Sequence, residues 1–530
     1  MIDLQTQPRS VRACASLPSV GPRVSARLAK LGIPLQQQPE PIPALSTTAW
    51  ASAPACEKIT TGGKSTALET MALAITHWSE RWFPDTFVFA TLALALACAG
   101  AMFIGATPQA VAVAFGDGFW DLMPFTMQMV LVVVTGHVVA RALPTARLIE
   151  RLARLPRTGR GAVAYVAIVS MATSLLSWAV SLIFAGLLAR ELARRDELKM
   201  DYRAAGAAAY LGLGATWAMG VSSSAAQLQA NPQSIPKELL AISGVIPFSE
   251  TIFLWQSALI AAVVIAASVA IAYVSAPAPG RAVTTQQLGI TLEEVRDQLP
   301  PRRRPGEWLE YSPIPTLFLG ALGLGWLANE FATKNATMVI SGLNTYNLAF
   351  LLLGLLLHWR PRRFLIAVSQ AVTASSGILI QFPLYASLAH ILINAKGTAG
   401  HSLGDCLSTA FVGAASTESF PVLIGIYSGV LGIFIPSGGG RWIVEAPFVM
   451  QAAMDLRVNL GWAVQAYNAA GALPNLINPF WMVPLLGIVG LKARDLVGFT
   501  FVQFVFLGPL VLFLLWLLAG TIPFHPPLTG

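Results

Sequence analysis

The residues Gly432-Ile433-Phe434-Ile435-Pro436-Ser437-Gly438-Gly439-Gly440-Arg441-Trp442 set a proline and three consecutive glycines into the middle of an apolar stretch. Proline removes a helical N–H donor, and a run of glycine weakens whatever helix follows it. In lipid no water replaces the lost backbone bonds. A break of this kind therefore survives only inside protein or beside a water-filled cavity. Secondary transporters hold substrates at such breaks, so the pattern predicts a carrier.

The rest of the chain agrees with a membrane setting. Of 530 residues, 55% are hydrophobic and 11% charged, where a soluble domain carries roughly a quarter charged. The net charge of +8 does not read as a nucleic-acid surface, because the basic residues sit beside apolar segments as juxtamembrane loops do. Cys14, Cys56, Cys98 and Cys406 have no metal spacing. Residues 1–70 are rich in Pro, Ser, Ala and Gln and lack a signal-peptide core. They read as a flexible cytoplasmic tail, or as an over-extended start with translation beginning near Met71.

Apolar segments of crossing length fall near 85–105, 118–140, 205–228, 251–274, 313–331, 344–360, 364–391, 463–485 and 496–519, measured against about 20 residues per span. Arg141, Arg147, Arg151, Arg154, Arg157 and Arg160 crowd one connection, and Arg190, Arg194, Arg195, Lys199 and Arg203 the next. Arg302, Arg303, Arg304, Arg360, Arg362, Arg363, Lys492 and Arg494 mark later ones, while 106–117 carries only Asp117. The positive-inside bias places these clusters, and the N-terminus, in the cytoplasm. Both clusters around 162–189 are cytoplasmic only if that segment enters and leaves on one side, as an inward re-entrant hairpin. Its tip is Thr173-Ser174-Leu175-Leu176-Ser177-Trp178-Ala179-Val180-Ser181. The same count makes 408–448 a hairpin opening outward. Plain helices with Ser and Gly at packing contacts would fit the first segment but not the Pro-Ser-Gly-Gly-Gly run.

Behind each hairpin comes an interrupted apolar segment, Thr216-Trp217-Ala218-Met219-Gly220-Val221-Ser222-Ser223-Ser224 and Pro474-Asn475-Leu476-Ile477-Asn478-Pro479-Phe480-Trp481, and then an intact span. The pattern predicts an all-α polytopic membrane protein built as inverted repeats, 71–274 and 313–530, joined by a cytoplasmic linker at 275–312. Each repeat has one re-entrant hairpin and one broken helix. Freed N–H groups and helix N-termini suit a small carboxylate. Freed carbonyls and the amides of Asn475 and Asn478 suit a sodium ion. Arg441 is expected at the outer rim, snorkelling to water. Glu418 and Glu445 flank the second break and are candidates to carry a coupling proton. Asp121 reads as interfacial, and Glu250 as part of a helix start capped by Ser249 or Thr251. His137 reads as a satisfied interhelical hydrogen-bonder.

Gly116-Asp117-Gly118-Phe119-Trp120, Met127-Gln128-Met129, Thr135-Gly136-His137, Gln381-Phe382-Pro383, Pro436-Ser437-Gly438-Gly439-Gly440 and Asn478-Pro479-Phe480-Trp481 occur in that order. Together they resemble the AtoE-like family of short-chain fatty acid transporters, from about residue 75 to the C-terminus. The resemblance implies a place in the ion-transporter superfamily of two-hairpin elevator carriers. It also implies a homodimer in a bacterial cytoplasmic (inner) membrane and cation-driven uptake of butyrate, acetoacetate and similar acids. The chain departs from the family pattern in places. Leu176-Ser177-Trp178-Ala179-Val180-Ser181 stands where the family commonly has Ile-Asn-Trp-Gly-Phe-Gly, and Gly432 stands in place of Asn. Glu445 replaces Gln and Arg441 replaces His, whereas Asn475 keeps its position. Two lost amides and one gained carboxylate point to proton coupling or a shifted substrate range.

The resulting expectation is secondary active transport of short-chain monocarboxylates coupled to H+ or Na+, with no catalytic residues and no organic cofactor. Its partners are the lipid bilayer, a small monocarboxylate and a second copy of the chain, and not nucleic acid. Substrate contacts are expected from Ser177, Trp178, Ser222, Ser223, Ser437, Gly438, Gly439, Asn475, Asn478 and Trp481, with a sodium ion near Asn475. A dicarboxylate or hydroxy-acid carrier is the nearest alternative, but it asks for more cationic groups than Arg441 supplies. A membrane-embedded acyl-handling enzyme would need a nucleophile with its base, or a metal cluster. A channel suits two oppositely opening hairpins less well than alternating access does.

Overall fold

The structure, a computed structural model, describes residues 66–527 except 83–85, 122, 231–234, 236, 293–298, 335, 337–338, 340–342 and 435–437. Residues 1–65 of the expected tail lie outside the described residues. The described secondary structure is helical apart from one isolated bridge between Lys396 and Ser402. Three helices are long and apolar enough to cross a membrane: Tyr202–Gln229, Trp255–Ser275 and Ala493–Ala519. Two bent pairs each pass the same test together, Thr126–Ala140 with Leu143–Leu152 at 68° and Leu460–Leu476 with Phe480–Val489 at 72°. Large apolar side chains such as Leu317, Phe318, Leu322 and Trp326 stand exposed along one helix, which suits a lipid surface and not water. The chain is an all-α polytopic membrane protein.

The first hairpin consists of Gly159–Ser174 and Trp178–Ala193. Thr158 caps its first arm by accepting from Gly161 N at 3.1 Å, and Ser177 caps the second by accepting from Val180 N at 3.3 Å. Both caps satisfy N–H groups that a helix start leaves unpaired. At its base Arg195 Nη1 donates to the carbonyls of Ala153 at 2.7 Å and Pro156 at 2.9 Å, so the chain enters and leaves at one end.

The second hairpin is Phe420–Phe434 and Gly438–Asp455, with its connection 435–437 outside the described residues. Thr417 Oγ1 donates to Leu456 O at 2.9 Å and closes its base. Its limits differ from the expected 408–448. Residues 408–413 belong to a separate helix, Leu403–Gly413. The hairpin starts later because Ser416 and Ser419 exchange side-chain-to-backbone bonds at 2.9 and 3.2 Å, a reciprocal cap that opens a new helix at Phe420.

The broken helices follow. The first leaves its α-helix at Leu211 for a π turn, Gly212–Thr216, and a 3-10 turn, Trp217–Met219, before restarting at Ser224–Gln229. Gly212 is needed there, since a Cβ would lie 2.5 Å from Ser170 O in the first hairpin. The second runs Leu460–Ala472, tightens at Leu473–Leu476, then bends to Phe480–Met482 and Val483–Val489. The two cross with Gly212–Thr216 packed on Leu473–Leu476.

Other expected elements differ. The connection 106–117 lies largely in a helix, Pro108–Asp121, which takes the first residues of the expected span 118–140. The segment 364–391 is divided at Ser375, whose hydroxyl turns back to Val372 O at 2.8 Å, into Pro361–Ala374 and Ser376–Asn394. The long helix expected to be capped by Ser249 or Thr251 starts instead at Trp255, after Leu254, with no side-chain cap. Glu250 closes a separate 3-10 turn, Phe248–Glu250. The side chain of Asp121 lies outside the described residues.

The boundary drawn at residue 70 falls inside a helix, Ala67–Trp82, that packs along Ala493–Ala519. Glu69 is fully buried and pairs with Arg160 at 3.0 Å, at the mouth of the first hairpin, and with Arg281 at 2.9 Å. A start at Met71 would leave both guanidiniums without their carboxylate. Glu69→Ala is expected to cost roughly 1–3 kcal/mol, because partly buried donors lose their acceptor. The unfolding temperature of the detergent-solubilised protein should drop, and an unchanged midpoint would show the clamp to be idle.

Candidate functional site

The tip of the first hairpin, the described ends of the second hairpin's arms and the two helix breaks meet in the interior, and most backbone groups freed there find partners across the junction. Leu175 O, at the first tip, accepts from Val221 N at 2.7 Å, and Ser222 Oγ accepts from Trp178 N at 3.1 Å. Asn468 Nδ2, from the second broken helix, donates to Ala218 O at 2.7 Å and to Ser223 Oγ at 2.5 Å. In return, the Tyr210 hydroxyl of the first broken helix donates to Asn475 O at 3.0 Å. Asn478 Nδ2 donates to Ile433 O at 2.8 Å, beside the second tip, while its Oδ1 accepts from Phe480 N at 3.0 Å. Trp178 meets Trp481 edge-to-face, with ring centroids 5.0 Å apart, and Phe382 packs on the far side of Trp481 at 5.4 Å.

Among these elements lies a narrow cleft lined by Met129, Trp178, Leu213, Trp217, Ser224, Gly438, Gly439 and Trp481. Four of the expected contact residues, Trp178, Gly438, Gly439 and Trp481, line it. Ser177 is buried behind it, engaged in its cap and in a hydrogen bond with the Tyr346 hydroxyl. Ser222, Ser223 and Asn478 are buried and committed to the junction bonds above. Asn475 is buried too, but among the described residues its side-chain amide has no hydrogen-bond partner. Ser437 lies outside the described residues.

The two carboxylates expected as candidate proton carriers differ in their settings. Glu418 is exposed beside Thr417 at the base of the second hairpin. Glu445 is buried on the second arm, and the Tyr467 hydroxyl donates to its Oε2. Met129, Leu213, Trp217 and Ser224 complete the lining and were not among the expected contacts. Trp217 and Ser224 lie in the interrupted segment and Met129 in the Met127-Gln128-Met129 motif, whereas Leu213 carried no signal of its own.

Two expectations are corrected here. Arg441 is not at a rim, since it is 3% exposed. Its Nη1 donates to Ser428 O at 2.5 Å and its Nη2 to Gly471 O at 2.9 Å, while the guanidinium lies 5.7 Å from the Tyr467 ring centroid. Carbonyls facing the break draw the cation inward where snorkelling would draw it out. His137 is buried, but neither ring nitrogen has a hydrogen-bond partner, so it is not the satisfied bonder expected. Neighbouring Gly136 packs so tightly on Ala179 that a Cβ there would sit 3.2 Å from its backbone.

Among the described residues no group of three or more His, Cys, Asp or Glu side chains could hold a metal ion. A lipid-exposed helical body with hairpins and broken helices around an internal cleft defines a multi-span membrane transporter. A family model described as "Short chain fatty acid transporter" matches residues 67–518, and the chain belongs to that family of transporters. An Escherichia coli K12 protein described as "Putative short-chain fatty acid transporter" is 35% identical over 436 residues, covering 82% of this chain and 96% of its own length. A Haemophilus influenzae protein of the same description is 30% identical over 451 residues, covering 84% and 98%. A solved structure titled "Structure and Function of Neisseria gonorrhoeae MtrF Illuminates a Class of Antimetabolite Efflux Pumps" aligns over 84% of this chain and 97% of its own, at 15% identity and a TM-score of 0.41.

The junction itself makes a prediction. Asn468→Ala strips the donor from a buried carbonyl and a buried hydroxyl, at a cost of roughly 1–3 kcal/mol. The thermal midpoint should fall measurably, and a variant as stable as the parent would mean the two helices do not depend on each other there.

Proposed function

We propose that the protein carries short-chain monocarboxylates of the butyrate or acetoacetate class across the bacterial cytoplasmic membrane by secondary active transport. The observation that carries this reading is the make-up of the cleft. Among the described residues its lining has N–H groups at a helix start, Gly438 and Gly439, apolar rings facing them, and no lysine, arginine or histidine. One carboxylate on a short alkyl chain matches such a surface. A dicarboxylate would bring a second charge into apolar lining, which is costly unless the charge is paired. Arg441 does not offer that pairing, because it lies outside the lining with its Nη1 and Nη2 turned to the carbonyls of Ser428 and Gly471. The printed names of the relatives point the same way.

For coupling, the buried Glu445 held by Tyr467 is the candidate proton carrier, and the unpartnered amide of Asn475 is the candidate sodium contact. The working cycle we favour is an elevator movement in a homodimer. Hairpins and broken helices would move against the helices Thr86–Phe103, Pro108–Asp121 and Ser376–Asn394, which share a small apolar core of their own. In this reading the N-terminus faces the cytoplasm, the first hairpin opens inward and the second outward. The repeats run over 71–274 and 313–530.

Purified protein in proteoliposomes should take up butyrate when a proton gradient is imposed, with acetoacetate competing and succinate competing poorly. Uptake that survives collapse of the proton gradient and follows sodium would remove Glu445 from the mechanism. Glu445→Gln is expected to abolish proton-driven accumulation while leaving exchange of internal for external butyrate. Asn475→Ala should lower uptake about tenfold with an unchanged unfolding midpoint, since the amide supports no fold contact. Normal uptake and affinity in that variant would take Asn475 out of the site.

A further inference from the structure

Trp217 is buried to 5% exposure, and its indole N–H has no hydrogen-bond partner. Trp442, also buried, donates its own N–H to Gln229 Oε1 at 3.2 Å. An unpaired donor in the interior is unfavourable by roughly 1–3 kcal/mol and gains that much when an acceptor reaches it.

The position of Trp217 is set by the first broken helix. It opens the 3-10 turn directly after the π turn Gly212–Thr216, where the change of backbone pitch swings side chains off the helical register. The ring then lies along the opening of the second hairpin's long arm. A Cβ on Gly438 would fall 2.6 Å from Cη2 and 3.2 Å from Cζ2 of this indole. Cζ2 is the benzo carbon on the nitrogen's side of the ring, so the Gly438 backbone borders the benzo end of the indole on that side. Only glycine allows that approach.

Gly438 and Gly439 are the first residues of an 18-residue helix, and first-turn N–H groups have no acceptor within their own helix. The helix dipole adds partial positive charge there. One wall of the cleft thus gathers three donors from two chain segments. Met129, Leu213 and the Trp178–Trp481 pair supply apolar surface to the same cleft.

We infer that Trp217 is a substrate-binding and specificity-determining residue. Its N–H donates to one oxygen of the substrate carboxylate, while the amides of Gly438 and Gly439 take the other. The assignment rests on the reading that this cleft holds the transported acid. It makes head-group recognition a property of neutral donors, with the chain length read separately by the aromatic wall. It also accounts for an anion site without a cation in its lining.

The test compares full-length protein with Trp217→Phe, which keeps an aromatic ring and deletes the N–H, and with 3-benzothienylalanine at position 217, which keeps the bicyclic shape with sulfur in place of N–H. Butyrate binding to detergent-solubilised protein is measured by calorimetry, and uptake is measured in proteoliposomes. Both replacements are expected to weaken butyrate binding about tenfold, with the unfolding midpoint preserved in the benzothienyl protein. The order of affinities from propionate to hexanoate should stay as in the parent, because the aromatic wall is untouched. Parent-like butyrate affinity in the folded benzothienyl protein would overturn the assignment to Trp217. Failure of the parent protein to bind any short-chain monocarboxylate would instead overturn the reading of the cleft on which it rests.

Discussion

Where the two broken helices cross, each supplies a donor to a main-chain acceptor of the other. Asn468 reaches Ala218 O, and Tyr210 reaches Asn475 O. Buried carbonyls left unpaired would each cost on the order of 1–3 kcal/mol, so this exchange is what lets two helices be interrupted in the interior at all. It also fixes which groups are consumed. Most of the acceptors at the crossing are spoken for, while the first-turn amides of the second hairpin have no acceptor in their own helix and the buried Trp217 N–H has none among the described residues. In the function proposed here, that surplus of donors over acceptors is what suits the cleft to an anion.

The hairpins are fitted to this crossing by contacts that exchange between the halves of the chain. The tip of the first hairpin bonds to the loop of the first broken helix and stacks Trp178 on Trp481 of the second. The second hairpin lays Gly438 against Trp217 and Trp442 against Gln229 in the first half. Neither half closes a cleft without the other. The buried guanidinium of Arg441 belongs to the same construction, tying Ser428 on one hairpin arm to Gly471 beside the second break. Its removal would leave freed carbonyls without partners, so its role is to hold the break in place.

Ser177 illustrates how a short side chain changes a site. Its hydroxyl closes its own helix start and meets Tyr346, leaving nothing to extend into the cleft. Glu445 differs in kind. It adds a buried carboxylate beside Tyr467, outside the cleft lining, where a proton can be held without touching the substrate. In the proposed function, head-group binding by Gly438 and Gly439 and ion coupling by Glu445 would fall to different residues on the same hairpin arm.

The amino-acid sequence by itself determined the class of the protein and where its helices fail. Apolar composition, arginine placement and the Pro-Ser-Gly-Gly-Gly and Pro-Asn-Leu-Ile-Asn-Pro runs act on the backbone within a turn or two of themselves, so two hairpins and two broken helices were legible from them. The start of the second hairpin at Phe420 and the division at Ser375 were less so, because single serine hydroxyls choose between local bonds that spacing alone does not rank. Only the tertiary structure decided that Arg441 is buried, that Asn478 is spent on Ile433 O, that Glu418 is remote, and that Trp217 keeps an unpaired N–H. Each of those depends on which atoms arrive from segments distant in the chain, and hydropathy is blind to the partner a polar group finds.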